Sequence, residues 1–285
     1  MAINRKDFLG LYDVSAAEIN EILTTTESMK EIFTRTVKKV PTLRGKTIVN
    51  LFFEPSTRTK SSFDLAAKRL SADVMSISKS TSSVAKGETL LDTAKTMEVM
   101  GADVVVIRHS APGAAAFLAD NVKASVLNAG DGAHAHPTQA LLDLYTMKEY
   151  KDSFEGLKVL IIGDIAHSRV ARSNIWGLKE LGAEVRVTGP STLIPREVKE
   201  MGVKVYEDLD KALEGIDVVN ILRIQLERQQ NGLFPSIGEY RKFYGMDKNR
   251  LDNLSDDVLI MHPGPMNRGI EIESAVADSE QSVIT

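Results

Sequence analysis

Thr47-Ile48-Val49-Asn50-Leu51-Phe52-Phe53, followed at once by Glu54-Pro55-Ser56-Thr57-Arg58-Thr59-Lys60, sets the architecture of the chain. The first seven residues form a short, mostly apolar run after Gly45, as a strand buried on both faces of a parallel sheet requires. Beyond the second seven, Phe63, Leu65, Ala66, Ala67 and Leu70 recur at helical spacing, so 54–60 is read as a strand-to-helix junction. Such a junction presents unpaired backbone N–H groups and the positive end of the helix dipole. Ser56, Thr57 and Thr59 add hydroxyl donors, and Arg58 adds a planar five-donor fork suited to phosphate. Ordinary capping also explains Ser and Thr at a helix start. Arg58 favours the cup for a phosphate dianion, because capping needs no cation where the dipole is already positive. The missing glycines and the absent Gly-Lys-Ser/Thr ending exclude a Walker loop.

Outward from this junction, strands and helices alternate. Strands are expected at 46–53, 73–78, 103–107 and 124–128, with helices near 60–71, 88–100 and 112–120. Before them, Ser15 caps an amphipathic helical stretch over 15–39, with Ile19, Ile22, Leu23, Met29, Ile32 and Phe33 on one side. A long helix starts with proline in its first turn and runs from Pro137 to about Lys151; Leu141, Leu142, Leu144, Tyr145 and Met147 suit a bridge between two units. A second alternating half follows, with strands at 157–162, 184–188, 203–205, 217–221 and 258–261 and helices near 168–181, 195–201, 236–244 and 271–281. Trp176 and the methionines are read as core. The fold class is therefore α/β, with two domains, each a parallel sheet flanked by helices, and a ligand site in the cleft between them.

The unusual polar residues cluster at strand ends. Ser56–Thr59 follow the first strand, Arg108 and His109 follow Val104-Val105-Val106-Ile107, and His134 to Gln139 follow Val126-Leu127. In the second half Arg169 follows Leu160-Ile161-Ile162-Gly163-Asp164, Arg223 and Gln225 follow Val218-Val219-Asn220-Ile221-Leu222, and His262-Pro263-Gly264-Pro265 follows Val258-Leu259-Ile260-Met261. Taken singly, an arginine after a strand is an ordinary surface ion-pair partner worth about 0–1 kcal/mol. Gathered on one rim in an acidic protein, arginines suit an anionic ligand.

Composition narrows the classes. The 285 residues allow two domains with sizeable cores, and 43% apolar and 26% charged residues suit a soluble globular protein. A net charge of −4 argues against a nucleic-acid surface. No apolar run reaches the length of a membrane span, Asn4, Arg5, Lys6 and Asp7 leave no room for a signal-peptide core, and the cytoplasm is the default location. With no cysteine there is no disulfide, thiolate metal site or cysteine nucleophile. The five histidines show no ligand spacing, so no metal is expected, and Gly163-Asp164-Ile165-Ala166 lacks the further glycines of a dinucleotide turn.

Five motifs occur together and in order: Ser-Thr-Arg-Thr at 56–59, Lys86-Gly87-Glu88-Thr89, Ile107-Arg108-His109, His136-Pro137-Thr138-Gln139, and His262-Pro263-Gly264-Pro265. On these the chain resembles the carbamoyltransferase family over almost its whole length. Ornithine-specific members carry a His-Cys-Leu-Pro motif and an Asp-x-x-x-Ser-Met-Gly segment. Here there is no cysteine, and Asp217-Val218-Val219-Asn220-Ile221-Leu222-Arg223-Ile224-Gln225 offers a cation where an amine would need an acid. The resemblance thus implies transfer of a carbamoyl group from carbamoyl phosphate to aspartate, in pyrimidine biosynthesis, without a cofactor. The rivals are a carbamoyltransferase for ornithine or another amino acid, a non-catalytic anion-binding subunit of the same fold, and a dehydrogenase.

The resemblance also implies roles. Ser56, Thr57, Arg58 and Thr59 match the phosphate site. Thr59, Arg108 and His136 match the grip on the carbonyl oxygen, and Gln139 with the backbone carbonyls of Gly264 and Pro265 matches the hold on the carbamoyl amide. Lys86, Arg169, Arg223 and Gln225 match the aspartate site. The family's loop around Ser82, Ser83 and Lys86 enters the neighbouring subunit's active site, which implies a homotrimer; either serine fits the matching position. The implied division is a carbamoyl-phosphate domain over 1–135, a bridge over 136–150, an aspartate domain over 151–270, and a final helix over 271–285 packing back on the first domain. A regulatory chain or a dihydroorotase is a further partner the family allows, and the segment from Glu227 to Tyr244 is a lid or a surface loop.

Overall fold

Helix α1 (Ala16–Lys30) opens with a capping box: Ser15 accepts from the Glu18 N–H while the Glu18 carboxylate reaches back to the Ser15 N–H. There follow β1 (Thr47–Phe52), α2 (Thr57–Arg69), β2 (Asp73–Ser78), α3 (Leu90–Val99), β3 (Val104–His109), α4 (Ala114–Asn121) and β4 (Ser125–Asp131). All four strands are parallel, in the order β2-β1-β3-β4. The computed structural model describes residues 3–78, 87–224 and 236–284, and the chain divides into two units, Met1–Thr138 and Gln139–Thr285.

The strand pleat explains the unbroken apolar runs. Val49 and Leu51 pack with Val105, Ile107, Leu118 and Val126 on one face of the first sheet, whereas Ile48 and Phe52 pack with Ala67, Val106 and Ala129 on the other. Asn50 is the exception. Fully buried at mid-strand, it donates to Asp64 of α2, which also accepts from Ser76 of β2. A buried amide without a partner is costly, so this pair ties α2, and hence its N-terminus, to the sheet.

Helix α5 (Pro137–Tyr150) belongs to the second unit from Gln139 onward. Then come β5 (Lys158–Ile162), α6 (Arg169–Glu180), β6 (Glu184–Thr188), β7 (Lys204–Tyr206), α7 (Leu209–Leu213), β8 (Val218–Ile221), α8 (Ile237–Tyr244), α9 (Lys248–Asp252), β9 (Leu259–Met261) and α10 (Ser274–Ala277). These five strands are parallel too, in the order β7-β6-β5-β8-β9. In each sheet the first strand is central and the chain winds outward from it in two directions. The reversals fall between β1 and β3 and between β5 and β8, and at such switch points the connections diverge and leave a crevice.

Several expectations fail for identifiable reasons. The helix expected over 271–281 shrinks to α10, because neighbouring strands and loops claim the backbone on either side. Met246 N–H donates to Glu271 O and Glu273 N–H to Met246 O, while Ile260 exchanges bonds with Gln281 and Val283. Ile272, Val276 and Ala277 lie in the second unit's core beside Leu160 and Ile260. The helix expected at 195–201 is a 3-10 helix, Arg196–Met201. Trp176 is 40% exposed on the outer side of α6, whose buried side carries Ile175 and Leu178, and Met100 and Leu142 are exposed as well. Phe33 is also exposed, its ring covered by the Arg69 guanidinium 4.2 Å away.

Candidate active site

The first unit brings its polar residues to the β1–β3 switch point. Phe52 of β1 pairs with Arg108 of β3, and Phe53 N–H donates to Arg108 O at 2.9 Å, so the start of α2 and Arg108 are neighbours. Ser56 is the N-cap of α2 but makes no side-chain capping bond. Ser15, Thr89, Ser168, Asp208, Ser236 and Asp247 all cap their helices through the side chain. Capping therefore does not account for the hydroxyl of Ser56. Arg58 and Thr57 are exposed at this N-terminus, and Ser56 and Thr59 are half-buried.

Arg108 is aimed by its surroundings. Its Nη1 donates to Ala129 O at 3.1 Å, its Nε lies 3.4 Å from the Glu54 carboxylate, and Nη1 approaches Nε2 of buried His136 at 3.5 Å. Guanidinium nitrogens only donate, so His136 turns the Nε2 lone pair toward Arg108 and leaves its Nδ1 facing the Thr138 hydroxyl at 3.4 Å. Arg108 and His136, 28 residues apart in sequence, thus converge on one point.

In the second unit the loops after β5 and β8 lie side by side, since Leu222 N–H donates to Ile162 O at 2.9 Å. Arg169 opens α6 and is buried; Ser168 caps that helix by accepting from Ala171 N–H at 3.1 Å. Arg223 follows β8 and is half-buried. Asp164, which follows β5, accepts from both the backbone and the ring nitrogen of His167 at 3.0 Å, a local cap.

The turn after β9 is held from inside. His262 Nδ1 accepts from Gly264 N–H at 2.8 Å, which leaves Nε2 to donate to Glu271 at 3.2 Å, both side chains being fully buried. Glu271 also accepts from Asn267 N–H, and Asn267 donates to Ile224 O at 2.9 Å, tying this turn to the Arg223 loop. The Gly264–Pro265 bond is cis. Burial, together with nearby Glu271 and Asp164, raises the Tyr240 phenol well above its ordinary range.

Asp143, Asn174 and Asn220 form a buried group that no motif singled out. Asp143 Oδ1 accepts from Gln139 Nε2 at 2.9 Å, and Oδ2 accepts from Asn174 at 2.6 Å and Asn220 at 3.3 Å. Burial pushes the Asp143 carboxyl up to about 6, against the pull of these three amides and nearby His262. A signal was present: Ala140, Leu144 and Met147 form the buried stripe of α5, and Asp143 sits on it. Ser82, Ser83, Lys86 and Gln225 lie outside the described residues, as does 227–235 of the expected lid; its remainder includes α8.

Comparisons with known proteins identify the family. The model of the aspartate/ornithine carbamoyltransferase carbamoyl-P binding domain matches residues 6–149, and that of the Asp/Orn binding domain matches residues 155–285. The aspartate carbamoyltransferase catalytic subunit of Halothermothrix orenii is 81% identical over 285 residues, which is 100% of this chain and 91% of the relative. That of Moorella thermoacetica is 61% identical, over 100% of this chain and 93% of the relative. The aspartate transcarbamoylase of Trypanosoma cruzi, solved with carbamoyl phosphate and aspartate, superposes with a TM-score of 0.87 at 28% identity, covering 98% of this chain and 90% of that one. With both halves matched in order and a close relative along its whole length, the chain belongs to the aspartate/ornithine carbamoyltransferase family.

Proposed function

We infer that this chain is an enzyme that transfers the carbamoyl group of carbamoyl phosphate to the α-amino group of L-aspartate, giving N-carbamoyl-L-aspartate, a pyrimidine precursor, and phosphate. The observation that carries this reading is the 81% identity, over the full chain, to a catalytic subunit of that activity.

The residues have roles that fit this chemistry. In the first unit the open N-terminus of α2, with Ser56, Thr57, Arg58 and Thr59, receives the phosphate of carbamoyl phosphate. Thr59, Arg108 and His136 receive the carbonyl oxygen; the Ala129 carbonyl and the Glu54 carboxylate hold Arg108 on station, which supports this assignment. In the second unit Gln139 and the carbonyls of Gly264 and Pro265 accept from the carbamoyl NH₂, and Arg169 and Arg223, with Lys86 and Gln225, receive the carboxylates of aspartate.

The neutral amine of aspartate attacks the carbamoyl carbon, and charge builds on the carbonyl oxygen. Donors already aimed at that oxygen favour the tetrahedral state over the ground state. Arg58 neutralises the departing phosphate, whose own oxygen takes the amine proton. Holding two anions in reacting contact is the larger task, for which positioning supplies up to about 7–11 kcal/mol. Calorimetry with a phosphonate–aspartate bisubstrate mimic tests both sets of contacts together, and product assays with aspartate, ornithine and N-acetylornithine test the acceptor. Absent binding of the mimic, or turnover with ornithine in place of aspartate, overturns the reading.

A homotrimer in the cytoplasm belongs to the same proposal, with Lys86 and Ser82 or Ser83 of one subunit completing the site of the next. Mixing Lys86→Ala and Arg58→Ala chains then yields hybrid trimers with some intact sites and recovered activity. No recovery in trimers verified by sedimentation removes the shared site.

A further inference from the structure

We propose that Asp143 is a positioning residue that locks the Gln139 amide with its NH₂ inward and its carbonyl oxygen outward, so that the enzyme selects an acyl phosphate bearing an NH₂ group. This rests on the assignment of Gln139 to the carbamoyl amide.

A glutamine amide is nearly symmetric in shape and opposite in chemistry at its two ends, so either end can face a ligand unless something fixes the flip. Here the partner is a carboxylate, which only accepts when ionised. Gln139 Nε2 meets Asp143 Oδ1 at 2.9 Å. Turning the amide over would set its oxygen against a carboxylate oxygen, so the observed direction is the stable one.

Asp143 is itself held. It is buried on the inner stripe of α5, and its other oxygen accepts from Asn174 of α6 and Asn220 of β8. Two amides on Oδ2 leave Oδ1 for Gln139. Although burial raises its carboxyl to about 6, the ionised, acceptor-only form still prevails at and above neutral pH. Gln139 is therefore left with an outward acceptor, which matches the two donors of a carbamoyl NH₂ and offers nothing to the methyl group of acetyl phosphate. A binding group built to hydrogen-bond a substrate N–H discriminates well against an analogue lacking it, because its own polar atom is then left unmet.

The same geometry predicts what an isosteric change does. In Asp143→Asn the new side chain must still accept from Asn174 and Asn220, so it turns its own NH₂ toward Gln139. Gln139 then flips to accept, and its NH₂ points at the NH₂ of carbamoyl phosphate.

The test compares the affinities of the full-length protein for carbamoyl phosphate and acetyl phosphate by calorimetry, in the parent, Asp143→Asn, Gln139→Ala and the double variant. The expected result is a parent preference for carbamoyl phosphate that falls roughly 10- to 100-fold in Asp143→Asn. Acetyl phosphate affinity stays within about threefold, and Asp143→Asn adds nothing once Gln139 is alanine, as residues acting as one unit require. Retained preference in Asp143→Asn, with loss in Gln139→Ala, overturns the positioning role and leaves the Gln139 assignment standing. Equal weakening of both ligands makes Asp143 merely structural and also overturns it. Retained preference in Gln139→Ala removes the assignment itself. If Asp143→Asn does not fold, the ratio of the two affinities in the parent is followed as pH falls from about 8 to about 5, since a protonated Asp143 Oδ1 can donate to Gln139 and release the flip. A falling preference for carbamoyl phosphate supports the lock, and a constant one overturns it.

Discussion

Helices α2 and α6 start in corresponding places, each after the central strand of its sheet and each at that sheet's switch point. Both have a serine at the N-cap and an arginine in the first turn, yet the two starts differ. Ser168 caps α6 through its hydroxyl and Arg169 is buried, whereas Ser56 makes no such bond and Arg58 is exposed. One helix end is closed by its own serine and carries a buried guanidinium; the other keeps its serine hydroxyl out of capping and its guanidinium exposed. Equivalent topology supplies two helix starts of different character, and side-chain commitments decide which is which.

That contrast can be broken most sharply at Arg58. Arg58→Ala is expected to lower turnover about 10²–10³-fold or more, as loss of a transition-state donor does, and steady-state assays that find near-normal turnover remove the cup. Next in size is the buried carboxylate of the second unit. Because the folded-state pKa of Asp143 is raised, the folded protein binds this proton more tightly than the unfolded chain does, so the group's contribution to stability falls as pH rises from about 4 to 6 and is flat above. The displacement corresponds to about 3 kcal/mol. Denaturant titrations of the parent against Asp143→Asn are expected to show their difference growing in favour of the variant over that window; a constant difference places the carboxyl at its ordinary value.

Arg169→Ala is expected to raise the KM for aspartate about 10–100-fold, the value of a lost charge-assisted bond, while carbamoyl phosphate affinity stays within about threefold. Equal loss for both substrates would merge the two anion sites. The smallest effect separates the serines. Ser168→Ala is expected to cost about 1 kcal/mol of stability. Ser56→Ala is expected to leave stability within about 0.5 kcal/mol and to weaken carbamoyl phosphate binding about five- to tenfold. Thermal unfolding that shows the same loss for both would make Ser56 an ordinary cap.

Much of this was legible before any coordinates. Strands β1, β3 and β5 read as strands because both faces are covered, which demands unbroken apolar runs, and the polar residues at their ends stood out against that background. Less legible was anything that depends on which side of a helix faces inward. Trp176 and Met100 read as core and lie outside, whereas Asp143, which no pattern singled out, lies inside. The 271–281 segment has helix-forming residues, yet β9 and the Met246 strand-like bridge take its backbone groups.

Local patterning by itself determined the alternating α/β order, the parallel sheets, and the chemistry of the residues at the strand ends, because periodicity and side-chain type act over a few neighbours. Tertiary structure alone decided that Arg108 meets His136, that Ser56 keeps its hydroxyl out of capping, and that Asp143 holds Gln139 by its NH₂ end. Those facts are set by hydrogen-bond partners and burial contributed by distant segments, which no short stretch of the chain encodes.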